Sequence, residues 1–297
     1  MTEDQMTKAI AYTMKQFSAK GSKMESGNLS EMLEKRMGET TQYLTRFRKI
    51  CQTRDFDLVY MPIYNLKSRE LHHVEALSRF RNIGDGKESP YQMISLAEEV
   101  GLITNFDLAV AHKVVTLLSR LGTSSRTPPI AVNVSGNSIS DLKFIDDLHN
   151  VLDKAINLRE MISIEITESS KITELEVVNE SIQGFRKKGF KVALDDFGAG
   201  AAGFDYLNSL DIDVVKFDGP VVKRAYKTEK GKAFLASMSS LCESMGIETI
   251  AEMVEDEPLS KFLAGINVHL GQGYYFGKPT PNLEGMRAGK VFVPGQS

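Results

Sequence analysis

Residues 191–198 read KVALDDFG, an apolar run that closes on two adjacent carboxylates, a phenylalanine and a glycine. The first half has the composition of a buried strand, and the glycine punctuates its end. The same pattern recurs on both sides. Downstream lie VVKFDG (214–219), TIAEMVE (249–255) and GQGYYFG (271–277). Upstream lie MISIEITESS (161–170), IAVNVSG (130–136), HHVEALSRF (72–80) and FDLVYMPIYNL (56–66). Most of the segments between them have helical spacing and stop at a glycine, as in FDLAVAHKVVTLLSRLG (106–122) and KAFLASMSSLCESMG (232–246). Strands alternating with helices need crossover connections and therefore a parallel sheet. About eight runs in roughly 240 residues match the size of a closed α/β barrel of the TIM type, (β/α)8. The first two runs are joined by Asn65–Glu70, too short for a helix, so they should pair as a hairpin and leave one strand antiparallel.

The segment before the barrel, residues 1–54, is mostly polar and helical in pattern. Leu33, Met37, Thr40, Leu44, Phe47 and Cys51 fall at alternating four- and three-residue steps, and Asn28 with Glu31 forms a capping-box pattern. Two readings fit: a coiled-coil-like linker or dimerisation segment, and an amphipathic helix lying on the barrel. The expected division is thus a helical segment, 1–54, and a catalytic barrel, 55–297.

The composition of the 297 residues is that of a globular protein, 42% apolar and 25% charged, with a formal charge of −3 that leaves no basic footprint for DNA or RNA. Cys51 and Cys242 are far apart and lack metal-ligand spacing, which suits reduced thiols in the cytoplasm. The N-terminus has no apolar signal core, and no run approaches the ~18 apolar residues of a membrane span. A soluble cytoplasmic protein is expected.

The chemistry sits in the later parts of the strand runs. In order these carry Glu75, Asn133, Glu165 with Glu168, Asp195 with Asp196, Lys216 with Asp218, Glu252 with Glu255, and Gln272. In a parallel barrel these positions converge on one mouth, where the active site lies. A lone strand-end aspartate is more often a helix N-cap, but so many independent placements at one end exceed what capping explains. Clustered carboxylates repel unless cations join them, and oxygen ligands without paired cysteines or a helical HExxH point to Mg2+ or Mn2+. Two such ions can activate water for phosphoryl chemistry, and Lys216 supplies a positive donor suited to orienting that water. The residues alone therefore indicate metal-assisted phosphoester hydrolysis.

The run from Tyr60 to Arg79, ending Glu75-Ala76-Leu77-Ser78-Arg79, is followed in order by SLAEEVGLI, VNVS, EITE, LDDFGAG, VKFD, AEMVE and GQGYYFGKP. This ordered series, over about Asp55 to Pro279, resembles the EAL-domain family of cyclic di-GMP phosphodiesterases. The resemblance implies two divalent cations, with Glu75, Asn133, Glu165 and Asp195 as ligands of the first. Asp195 and Asp196 then form the bridge to the second ion, with Asp218 near it. Lys216 corresponds to a lysine on the attacking water, Glu252 to a catalytic glutamate and Gln272 to a residue that holds the network. Leu77 and Arg79 fall in the substrate-contacting part of the signature, with Arg79 on phosphate. Glu255 falls where the family meets a guanine, and Glu168 corresponds to an anchor of the loop after the Asp-Asp strand. The implied reaction opens one phosphodiester of cyclic di-GMP to give linear 5′-pGpG. The implied assembly is a homodimer, with room for an upstream sensory module.

Three positions depart from the family pattern. Met61 replaces a usual glutamine, the loop Ala199 to Gly203 lacks hydroxyls, and Met253 replaces a usual glycine. None deletes an implied metal ligand. These changes keep open a second reading, a catalytically silent cyclic di-GMP receptor. A third, another metal-dependent barrel enzyme acting on an enolisable acid, does not explain the ordered motifs. Gly198, Gly200 and Gly203 match a dinucleotide-binding fingerprint, but they follow two aspartates and lack the acidic partner further on. His72 and His73 read as exposed hairpin residues on opposite faces of the strand, and Met238 and Met245 as core filling.

Overall fold

The structure, a computed structural model, describes residues 3–20, 29–80, 90–122, 127–167, 174–200 and 203–294. Helices α1 (Glu3–Lys20) and α2 (Leu29–Thr53) come first, then strands β1 (Phe56–Asn65) and β2 (Leu71–Phe80). Helices α3 (Pro90–Glu99) and α4 (Ile103–Leu121) lead to β3 (Ile130–Ser135), and α5 (Gly136–Ile139) and α6 (Leu142–Asp153) to β4 (Ile162–Thr167). The remainder alternates: α7 (Leu175–Lys187), β5 (Lys191–Phe197), α8 (Gly203–Ser209), β6 (Val214–Phe217), then α9 (Gly219–Tyr226) and α10 (Glu229–Ser244). It ends with β7 (Glu248–Ala251), α11 (Glu257–Gly265) and β8 (Leu270–Gln272).

The strands close into a barrel in chain order, β1 to β8. From β2 onward neighbours are parallel, whereas β1 meets β8 antiparallel, with Ile63 opposite Gln272. The hairpin expectation thus holds. Asn65 sets its turn by accepting from the Lys67 and Ser68 amides at 2.9 and 2.8 Å, and Arg69 takes a positive φ of 61°. Helix starts follow side-chain chemistry: Asp141 accepts from the Lys143 and Phe144 amides to open α6, and Thr228 from the Gly231 amide to open α10. Gly122 and Gly246 end α4 and α10 at φ near +70°, a conformation glycine enters without a Cβ clash.

Two compact units are present. One comprises 1–57 and 79–109, the other 58–78 and 110–297. In the first, Leu44, Phe47 and Cys51 of the α2 stripe are buried, as is Ile50 beside them. Phe47 joins Phe56, Phe80 and Phe106 in a cluster with ring centroids 5.3–6.3 Å apart. Thr13 of α1 and Thr40 of α2 share a hydroxyl contact of 3.2 Å, and Lys15 pairs with Glu99 of α3 at 3.2 Å. Burial pushes the Cys51 thiol up to about 12 and the Cys242 thiol up to about 11, so both stay protonated and unreactive.

The second unit holds the barrel. Inside it Ile63, Ala193, Val214, Ile250 and Leu270 form an apolar layer. The last four stand two residues before Asp195, Lys216, Glu252 and Gln272, so strand alternation places the polar set directly above this layer.

Two expectations are corrected. His73 is buried, because it shares the inward face of β2 with Glu75, and its Nδ1 lies 2.7 Å from that of His72. Met245 is 45% exposed, since it lies at the C-cap of α10 beyond the packed face.

If the aromatic cluster organises the first unit, Phe47→Ala should destabilise it by about 3–5 kcal/mol, as for other large core deletions. Denaturant unfolding followed by circular dichroism reads this; a change below about 1 kcal/mol would show that the stripe is peripheral.

Candidate active site

Each strand from β2 to β8 delivers one or more polar side chains to the mouth. Glu75 comes from β2, Asn133 from β3, Glu165 from β4, Asp195 and Asp196 from β5, Lys216 from β6, and Gln272 from β8. Glu252 follows β7 directly. Adjacent residues on a regular strand face opposite ways, yet both aspartates reach the cluster. The β5–β6 register shifts between Leu194 and Phe197, and Asp196 adopts φ +57°, which turns its side chain back to the mouth. The Asp196 amide donates to Asp195 Oδ1 at 2.9 Å.

Lys216 is the hub. Its side chain is 0% exposed, and Nζ lies 2.9 Å from Glu165 Oε2, 3.0 Å from Asp195 Oδ1, 3.1 Å from Glu252 Oε1 and 3.7 Å from Glu75 Oε2. Two side-chain amides hold the Glu75 carboxylate, and one of them links it to Glu252. Asn133 Nδ2 donates to Glu75 Oε1 at 2.8 Å, while Gln272 Nε2 donates to Glu75 Oε2 at 2.7 Å and reaches Glu252 Oε1 at 3.4 Å.

Charge dominates this site. Glu75, Glu165 and Asp195 form one cluster with ligand atoms within 4.8 Å of one another, and Asp195, Asp196 and Glu252 form another. That is five distinct carboxylates against the single Lys216 ammonium, or −4 when all are ionised. Burial first, then the Glu75 and Asp195 charges, push Glu165 up to about 8 against the opposing pull of Lys216. Burial, Asp195 and Glu75 likewise raise Glu252 to about 7, again against Lys216, and burial and Asp195 raise Asp196 to about 6. Burial pulls Lys216 down, but Asp195, Glu165, Glu75 and Glu252 together carry it well above the ordinary lysine value, so it stays charged.

The residues present fit divalent cations. Asn133 Oδ1, Glu165 Oε1 and Gln272 Oε1 are buried acceptors with no hydrogen-bond donor, a condition that costs free energy unless a cation or water meets them. The donor set is all oxygen, as Mg2+ and Mn2+ prefer. Two dications would also cancel the −4.

The other expected site residues are placed as follows. Asp218 caps α9, accepting from the Val221 amide at 3.2 Å, and its charge is felt at Asp196. Glu255 is exposed and tied to Lys223 of α9. Leu77 is half-buried, and Arg79 is exposed and belongs to the first compact unit. Met61 is buried. Glu168, Ala201 and Ala202 lie outside the described residues. Sequence reasoning missed two features, the Lys223 tether on Glu255 and the backbone of Met253. The second had a signal, since a glycine is the usual residue there and Met253 has φ +51°.

The structure is thus a closed (β/α)8 barrel with a constellation of carboxylates, amides and a lysine at its strand C-termini, the end where barrel active sites lie. The chain belongs to the EAL domain family, whose profile matches residues 45–279. It is 32% identical over 244 residues to the cyclic di-GMP phosphodiesterase PdeB of Shewanella oneidensis, covering 81% of this chain and 28% of that protein. The chain spans less than half the length of the curated relatives it matches. Among solved structures, an EAL domain protein of Listeria monocytogenes aligns with TM-score 0.67 at 25% identity, covering 80% of this chain and 94% of that one. The Xanthomonas citri FimX EAL domain in complex with c-diGMP shares the fold with TM-score 0.71 at 23% identity, covering 82% and 95%. Among the described residues, no helix is long and apolar enough to cross a membrane.

The raised carboxylates set a pH dependence. Folded, Glu165 and Glu252 keep protons up to about 8 and about 7, whereas their ordinary value is 4.5. Metal-free protein therefore binds more protons folded than unfolded across that window, and its stability falls as pH rises through it. In chelator, the melting temperature should drop between pH 6 and pH 8, less so in Glu165→Gln, and added Mg2+ or Mn2+ should remove most of the drop. A melting temperature that rises over the same range would refute this charge assignment.

Proposed function

We propose that this chain is a metal-dependent phosphodiesterase that hydrolyses one ester of cyclic di-GMP to give linear 5′-pGpG. The observation that carries the reading is the fully buried Lys216 held among four carboxylates, with three unpartnered acceptors beside it. The relatives named as cyclic di-GMP phosphodiesterases support the substrate.

In this reading Glu75, Asn133, Glu165 and Asp195 hold one cation, and Asp195, Asp196 and Glu252 the other. When bound, the two cations supply Lewis acidity, lowering the pKa of water and offsetting charge on the phosphoryl oxygens. The chain's own groups do the rest. Lys216 Nζ donates to the attacking water and offsets charge that grows on the phosphorane. Glu252 Oε1, 3.1 Å from Lys216 Nζ, holds that ammonium in place beside the reacting water. Asn133 and Gln272 fix the Glu75 carboxylate through the hydrogen bonds described above, so it is set before substrate arrives. Leu77, Asp218 and Glu255 are the residues we assign to contact with the substrate. The reading extends to a cytoplasmic homodimer coupled to an upstream sensory module, with residues 1–54 as linker or dimerisation segment.

Chromatography of purified protein incubated with cyclic di-GMP tests this, with Mg2+, with Mn2+ and with chelator. We expect metal-dependent linear pGpG, reduced upwards of about 100-fold in Glu75→Gln, since removing a ligand exceeds the loss seen for outer-shell partners. Binding without product would overturn the enzyme in favour of a silent receptor.

A further inference from the structure

Met253 occupies a backbone conformation that suits glycine. Its φ is +51°, a region that residues with a side chain seldom enter. The turn is held from both sides: the Glu252 amide donates to Phe217 O at 3.2 Å, the Val254 amide to Gln272 O at 3.0 Å, and the Tyr275 amide to Val254 O at 3.1 Å. Met253 thus stands at the barrel mouth between the ends of β6 and β7, one residue after Glu252, whose Oε1 touches Lys216.

The side chain lies over Gly219, the first residue of α9. A Cβ at Gly219 would come within 2.2 Å of Met253 Cγ and 2.4 Å of its Sδ, so the absence of a side chain there makes the seat for the thioether. The seat does not enclose it: Met253 remains 41% exposed. An apolar, polarisable group is therefore fixed at its base and presented to solvent beside the catalytic carboxylates. Core packing does not account for such a residue, because a buried position would serve packing better.

We propose that Met253 is a specificity-determining residue, its thioether forming a platform for one purine ring of the cyclic dinucleotide. This rests on the phosphodiesterase reading given above. Sulfur–aromatic contact suits a planar purine ring at the mouth, and methionine can adjust to it where a β-branched residue cannot. A glycine at 253 would relax the backbone and leave nothing for the ring to meet.

The test is steady-state hydrolysis of cyclic di-GMP by wild type, Met253→Gly and Met253→Leu, with melting temperatures alongside. Met253→Gly should raise KM about 3–10-fold, the range a sulfur–aromatic contact supports, with kcat within about twofold and a melting temperature no lower than wild type. Met253→Leu should restore most of the affinity. An unchanged KM in Met253→Gly would overturn the proposal. So would a fall in kcat at constant KM, which would make Met253 a wedge positioning Glu252. Should the wild type bind cyclic di-GMP without cleaving it, hydrolysis fails, and the same fold-change in Kd by titration decides on Met253. Absence of binding overturns both.

Discussion

The site depends on one ammonium group. Lys216 Nζ is completely buried and lies within 3.7 Å of four carboxylates, three of them at 3.1 Å or less. An isolated ammonium in that position would be strongly disfavoured, and so would four unpaired carboxylates. Each side makes the other tolerable. The balance is still uneven, because one positive charge faces five carboxylates once Asp196 is included. Protons or divalent cations must supply the difference, and the same oxygen atoms serve for either. Folding and any cation binding here are therefore thermodynamically linked: whatever raises the proton affinity of these carboxylates also sets the competition a cation would have to win.

The barrel makes this arrangement geometrically cheap. Period-two alternation places the polar residues two steps beyond Ala193, Val214, Ile250 and Leu270, so an apolar floor and a charged mouth come from the same strands. Burial beneath the site raises the electrostatic stakes above it, since a dry floor screens charge poorly. The amides of Asn133 and Gln272 then choose which oxygens remain for external ligands. They engage both oxygens of Glu75, but leave Glu165 Oε1 and their own Oδ1 and Oε1 without donors.

Much of this was legible in the sequence because strand period, hairpin length and strand-end carboxylates are local patterns. The eight runs, the antiparallel β1 and the seven contributing strands required no knowledge of packing. What escaped was set by tertiary context. His73 looked exposed because it lies close to the hairpin turn, but it shares the inward face with Glu75. Asp218 and Glu255 carried the same strand-end signal as Glu165 and Asp195, yet part of their capacity is taken up locally, by the start of α9 and by Lys223. The α2 stripe was correctly periodic, but periodicity does not name the surface that covers it. In the first compact unit Phe47 from that stripe meets Phe80 and Phe106.

The positive-φ residues show where local rules give way to the site. Arg54, Arg69 and Asn267 lie in turns between elements, where such geometry is ordinary. Asp196 and Met253 differ, because each adjoins a member of the carboxylate cluster on a strand exit. Strain of this kind costs of order 1–3 kcal/mol per residue and persists only where the surroundings over-determine it. At Asp196 its consequence is plain: a strict strand would send one of two adjacent aspartates away from the mouth, and the shifted register with φ +57° keeps both. At Met253 the same device follows Glu252 and turns the chain back to pair with β8 through Gln272 O. The deviation at Asp196 adds one carboxylate to the cluster beyond what regular alternation along β5 would deliver. Strain is thus concentrated beside the two acidic residues that lie furthest along their strand exits, and the regular part of the barrel supplies the rigidity that maintains it.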